Sequence, residues 1–99
     1  MTKSDLWKLG VADIVAATRS GERSATDIVE AAIDRMDQVN PVLNAVVMDL
    51  SDEARQRAAA LDRARASGAD LGPLHGVPVT IKVNVDQTGW ATTNGVTAL

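Results

Sequence analysis

The sequence contains no cysteine, no phenylalanine and no tyrosine, and its 99 residues include one histidine, two tryptophans and three prolines. The lack of cysteine excludes a disulfide scaffold, and one histidine without cysteine excludes a structural zinc site. No apolar run approaches the roughly 20 residues that span a bilayer. Residues 1–8 lack the basic-then-apolar layout of a secretory signal. A net charge of −3 argues against nucleic acid or an anionic membrane as a partner held by bulk charge. No glycine pattern for cradling phosphate is present, and no cofactor is expected. These exclusions predict a soluble, cytoplasmic protein.

What the chain does contain is small. Its hydrophobic fraction is 45%, but 16 of those residues are alanine and 12 are valine. Alanine contributes one methyl group to burial, and a chain of this size buries only about 60–70% of its unfolded surface. The core is therefore thin for an independent domain. Charge is also uneven. Residues 71–99 carry only Lys82 and Asp86, apart from His75. Such a segment is expected to be buried on both faces or against something large. Alone, the chain is expected to be partly unfolded or self-associated as a homo-oligomer.

The helical signals lie in the first two thirds. Residues 11–20 predict a helix with Ile14, Val15 and Thr18 on one face and Gly21 as its stop. Residues 25–39 predict a second helix, capped by Ser24 with Asp27 three positions on. Its apolar face is Ile28, Val29, Ala32, Ile33, Met36 and Val39. Asp27, Glu30, Asp34 and Asp37 fall opposite. That stripe reads as a solvated face, because a convex helix surface does not converge ligands on a cation. Asn40-Pro41 should end the helix. A third helix is predicted over residues 52–67, with Ser51 as cap, a Glu53–Arg57 pair, and a buried face of Ala54, Ala58, Leu61 and Ala64.

Two strands are predicted. Residues 44–50 form a short apolar run. Residues 77–85 alternate cleanly, with Val77, Val79, Ile81, Val83 and Val85 on one face and Pro78, Thr80, Lys82 and Asn84 on the other. Lys82 is the only lysine beyond residue 8. It is either an exposed residue of a sheet face or a buried functional amine, since burial favours the neutral form of lysine. His75 has no cysteine or acid beside it and reads as a hydrogen-bonded turn residue. The serines fit helix ends, and none lies in a glycine-rich nucleophile turn. Thr92 and Thr93 read as loop residues.

The run Gly72-Pro73-Leu74-His75-Gly76-Val77-Pro78-Val79-Thr80-Ile81-Lys82 resembles the N-terminal hallmark of the amidase signature family. Thr92-Thr93-Asn94-Gly95 resembles the family's segment after that strand, and the upstream order of elements is similar across nearly the whole chain. The resemblance implies an α/β fold: the N-terminal portion of an α/β/α sandwich around a large mixed sheet. Residues 1–70 would form a helical layer with one short strand, and residues 71–99 an interior strand and active-site loop. It also implies cleavage of carboxylic amides by a Ser–cis-Ser–Lys triad, in which Lys82 corresponds to the lysine. The family's Gly/Ser-rich segment, which supplies both serines, lies downstream, and no serine of this chain is assigned to the triad. Val83 stands where the family usually has aspartate. By alternation it points away from Lys82, so the change should be tolerated.

The leading expectation is thus the N-terminal part of a stand-alone amidase, inactive by itself, whose partners are a small amide substrate and the remainder of the domain. The A subunit of a glutamyl-tRNA amidotransferase is the variant within the family. A truncated, non-catalytic interaction module is the reading from another class.

Overall fold

The computed structural model describes residues 2–82, 85 and 87–89. A short 3-10 helix, Lys3–Lys8, leads into three α-helices: α1 (Val11–Ser20), α2 (Ala25–Leu43) and α3 (Ser51–Ala66). None of the helices among the described residues is long and apolar enough to cross a membrane.

α1 has the predicted bounds and stops at Gly21, whose φ of 81° lies in the left-handed region. Its last carbonyls are taken by another helix. The Arg65 guanidinium of α3 donates to Arg19 O (3.0 Å) and Ser20 O (2.7 Å). These are two of the acceptors that a helix end leaves unpaired.

α2 is the central element. Ser24 caps it, its hydroxyl accepting the Asp27 N–H at 3.0 Å. A second cap comes from α3, where the Asp62 carboxylate accepts the N–H groups of Ala25 (2.7 Å) and Thr26 (3.1 Å) and the Thr26 hydroxyl (2.6 Å). Two faces of α2 feed two apolar clusters. Ile28 and Ala31 join Leu6 and Ile14, with Leu9 and Val77 packed against them. Ala25, Val29 and Ile33 meet Ala58, with Ala54 and Leu61 alongside. Ala58, 1% exposed, lets α3 approach closely. The 3-10 helix had no signal in the sequence, yet its Leu6 is as buried as Ile28. Its Trp7 ring lies under the Arg35 guanidinium of α2, 4.4 Å from the ring centroid.

The charged face of α2 is partly used. Asp34 and Asp37 are exposed, but Glu30 pairs with Arg55 of α3 at 2.7 Å and Asp27 with Lys3 at 3.4 Å. No metal-competent group of three or more acidic, histidine or cysteine residues occurs among the described residues. The Glu53–Arg57 pair forms as predicted, at 3.0 Å.

Four expectations are corrected. α2 does not end at Asn40; it runs through Pro41 to Leu43 and closes at Asn44, which adopts φ 51° and donates its N–H to Asn40 O at 2.6 Å. A proline in the last turn costs the one helical hydrogen bond that its N–H would make, and the left-handed cap closes the helix beyond it on Asn40 O. Ser51 does not cap α3 but opens it: its N–H donates to the Asp49 carboxylate at 2.8 Å, and its hydroxyl bonds the same oxygen. Residues 44–50 form no strand. The Asn40 side-chain amide occupies both polar groups of Val46, accepting its N–H at 2.8 Å and donating to its carbonyl at 3.0 Å. A side chain thus takes the bonds a neighbouring strand would make. Finally, residues 77–82 and 85 are not in a strand. Val79, Ile81 and Val85 are 72%, 50% and 54% exposed. The alternation is present in the sequence, but an extended segment becomes a strand only against a partner. Among the described residues the architecture is helical, and no β-strand forms.

Candidate active site

The segment that carries Lys82 is held to the helical layer at one end. Arg19, the penultimate residue of α1, donates from its guanidinium to the carbonyls of Leu71 (3.1 Å) and Gly72 (2.7 Å). Its neighbour Thr18 is 1% exposed and donates its hydroxyl to the His75 carbonyl at 2.8 Å. The turn over residues 73–76 closes on itself, His75 N–H to Gly72 O at 3.2 Å and Val77 N–H to Leu74 O at 3.1 Å. Gly76 has φ 80°, and a Cβ there would lie 2.6 Å from the Thr18 methyl. Only glycine suits both the backbone and the space. Val77 then packs on the Leu6–Ile14–Ile28 cluster.

Beyond Val77 these contacts end. Lys82 is exposed, and its carbonyl accepts the Val85 N–H at 3.0 Å. Neither sequence alternative for this lysine, exposed on a sheet face or buried as a functional amine, is decided, since no sheet forms among the described residues. Val83 and Asn84, and the loop threonines Thr92 and Thr93, lie outside the described residues.

His75 is a turn residue, as predicted, and its main chain is hydrogen-bonded on both sides. Its side chain departs from the expectation. The residue is 4% exposed, and neither imidazole nitrogen has a hydrogen-bond partner. Burial pushes the Asp62 carboxyl up, but the bonds from Thr26 and Ala25 outweigh it and hold the carboxyl below its ordinary value.

The serines are engaged locally. Ser24 and Ser51 serve helix starts. Ser20 donates to Ala17 O at 3.1 Å and Ser67 to Ala64 O at 2.9 Å. Ser51 bonds the Asp49 carboxylate, and none of these serines bonds a histidine or lysine side chain among the described residues. A cleft on the helical layer, lined by Ile33, Asp37, Asp49, Ser51, Asp52 and Arg55, includes no residue of the segment leading to Lys82. The described residues thus hold one motif candidate, Lys82, several residues beyond a pinned turn, with no serine or histidine bonded to its side chain. The pinning residues, Thr18 and Arg19, were not singled out as functional from the sequence. A threonine on the apolar face of α1 was the only signal they gave.

Comparison with known proteins places these residues in context. The amidase family model matches residues 27–99. An indoleacetamide hydrolase of Bradyrhizobium diazoefficiens is 55% identical over 96 residues, covering 97% of this chain and 18% of that protein. An acylamidase of Rhodococcus erythropolis is 41% identical over 96 residues, covering 97% of this chain and 20% of that protein. The A subunit of a glutamyl-tRNA(Gln) amidotransferase from Thermobifida fusca is 42% identical over 79 residues, covering 80% of this chain and 16% of that protein. The chain therefore spans about a fifth or less of the length of these relatives. No solved structure matches it. The chain belongs to the amidase family.

Proposed function

We propose that this member of the amidase family is the N-terminal part of an enzyme that hydrolyses carboxylic amide C–N bonds, with Lys82 as its catalytic base. The observation that carries the reading is the match to an indoleacetamide hydrolase along 97% of the chain, through the segment that ends in the motif lysine. On this reading the neutral Lys82 amine takes a proton from a bridging serine, which takes one from the nucleophilic serine. The nucleophile attacks the amide carbon, the C–N bond breaks, and the amine leaves with a proton. Water then releases the acid from the acyl-enzyme. Both serines come from outside this chain, so the 99 residues alone are inactive.

The reading also gives the exposed apolar residues a place. Val79, Ile81 and Val85 would lie in a strand of a sheet built largely by the rest of the domain, which would also cover Lys82. The A subunit of an amidotransferase is the second reading, supported by the Thermobifida match. The hydrolase reading is preferred because its relatives match more of this chain, and one of them at higher identity.

The test is turnover of indoleacetamide and simple acyl amides by the complete protein and its Lys82→Met variant. Loss of about a thousandfold or more in kcat is expected on removing the base. Near-wild-type turnover by the variant would overturn the assignment. Amide hydrolysis only in the presence of partner subunits would favour the second reading, and no hydrolysis under either condition a non-catalytic module.

A further inference from the structure

We propose that Thr18 and Arg19 of α1 are positioning residues for the amide-cleaving site: they fix the 73–76 turn and, through it, the path of the chain to Lys82. The proposal rests on the reading of Lys82 as base.

The contacts that hold this turn come from more than 50 residues away in sequence. Thr18 donates to His75 O at 2.8 Å, although the carbonyls of Ile14 (3.0 Å) and Val15 (3.2 Å) compete for the same proton. A threonine hydroxyl has one proton to give, and the bond across to the turn is the shortest of the three. The acceptor belongs to a residue 4% exposed, so water is a poor substitute. The Thr18 methyl is also a wall. Gly76 passes so close that a Cβ there would stand 2.6 Å from it. Arg19 secures the upstream edge through Leu71 O and Gly72 O.

The His75 imidazole does not share this task, since both ring nitrogens are without a partner. The turn is gripped by its backbone, and α1 does the gripping. Pro78 follows at once and fixes its own φ, so the direction in which the chain leaves the turn is set within two residues of Gly76. Lys82 lies five residues beyond Val77, about 17 Å of extended chain. On the proposed function this run enters a sheet, so a shift at the turn changes the register and angle at which it enters, and with them the position of the Lys82 amine.

The experiment uses the complete amidase. Thr18→Val keeps the shape and removes the donor. It is expected to lower kcat about tenfold, as misplacement of a catalytic group does, with KM within about twofold. The limb of the kcat/KM–pH profile that follows the base should move. Thr18→Ser, which restores the hydroxyl, should recover most of kcat. Arg19→Ala, on the surface, should show the same pattern at about threefold, and it decides the question if Thr18→Val does not fold. Unchanged kcat and pH profile in the folded variants, with Lys82→Met inactive, would overturn the positioning role and leave the base assigned. A kcat loss that only tracks the folded fraction, with the profile unmoved and no rescue by serine, would overturn it too. Normal turnover by Lys82→Met would bring down the reading and the proposal together.

Discussion

Residues 2–66 and residues 71–82 face the same two demands, to pair their backbone polar groups and to cover their apolar side chains. The helical region pairs its backbone from within and covers the faces its helices turn to one another, while Trp7, Val11, Val42, Leu43, Val47 and Met48 stay exposed. Its backbone bonds are local, its helix ends are closed by Ser24, Asp62, Asn44 and Arg65, and Leu6, Ile28 and Ala58 are each 1% exposed. The following segment meets neither after Val77. Beyond Val77 it holds two exposed large apolar residues, Val79 and Ile81, and no strand partner among the described residues. The difference lies in reach. A helix completes its hydrogen bonds four residues away, while a strand needs a neighbour from elsewhere in the chain. The one stretch of the segment that is well held, the 73–76 turn, has two backbone bonds of its own and is fastened to the rest by α1.

The sharpest way to break the comparison is to cut the layer where the two regions meet. Ile28 is 1% exposed and belongs to the cluster on which Val77 packs. Ile28→Ala should cost about 2–4 kcal/mol through lost burial and a cavity. It should also speed amide exchange at Val77. Val29→Ala cuts the other cluster, between α2 and α3, and should leave Val77 as it was. Chemical unfolding followed by circular dichroism reads the first effect and hydrogen exchange the second. Equal exchange at Val77 in both variants would mean that the segment is not anchored on the Leu6–Ile14–Ile28 cluster.

A smaller effect tests how self-sufficient the helical region is. Asp62 closes the start of α2 with three hydrogen bonds, and Asp62→Ala should cost about 2 kcal/mol near neutral pH. The pH dependence has a definite sign. Burial raises the carboxyl, the bonds from Thr26 and Ala25 lower it by more, and the native value lies below the unfolded one. The stabilisation is therefore fully present above the ordinary carboxylate pKa of about 3.9 and is lost as pH falls through the lower native value. Asp5 and Asp49 are lowered in the same direction at the surface, so the informative quantity is the difference between wild type and Asp62→Ala. That difference should shrink in acid. A difference that stays constant from neutral pH down to well below about 3.9 would contradict the charged cap.

What the sequence made legible follows the same division. α1 and the start of α2 could be read because their signals are local: Gly21 after an apolar period, and Ser24 three residues before Asp27. The Asp62 cap, the Arg65 grip on α1 and the Thr18 bond to His75 span 36 to 57 residues, and no periodicity encodes them. The end of α2 was misread because the rule about residues before proline is a preference, and Asn40 has a side chain that rewards the helical alternative by binding Val46. Lys82 was legible as a candidate through its motif. Its surroundings were not, because they depend on what the segment pairs with.

The smallest expected effect decides what that segment is. Ile81 is 50% exposed. Ile81→Thr keeps the β-branch and exchanges a methyl-bearing arm for a hydroxyl, so in the 99-residue chain it should change stability by no more than about 0.5 kcal/mol. In the complete protein the proposed function puts the same side chain inside a sheet. There the hydroxyl loses water and the packing loses carbon, and the cost should rise to about 2 kcal/mol. The comparison is within one substitution, so differences in the unfolded state of residue 81 largely cancel. A cost that is negligible in both contexts would mean that the alternation of Val77, Val79 and Ile81 does not mark an interior strand, and Lys82 would then have no sheet to cover its amine.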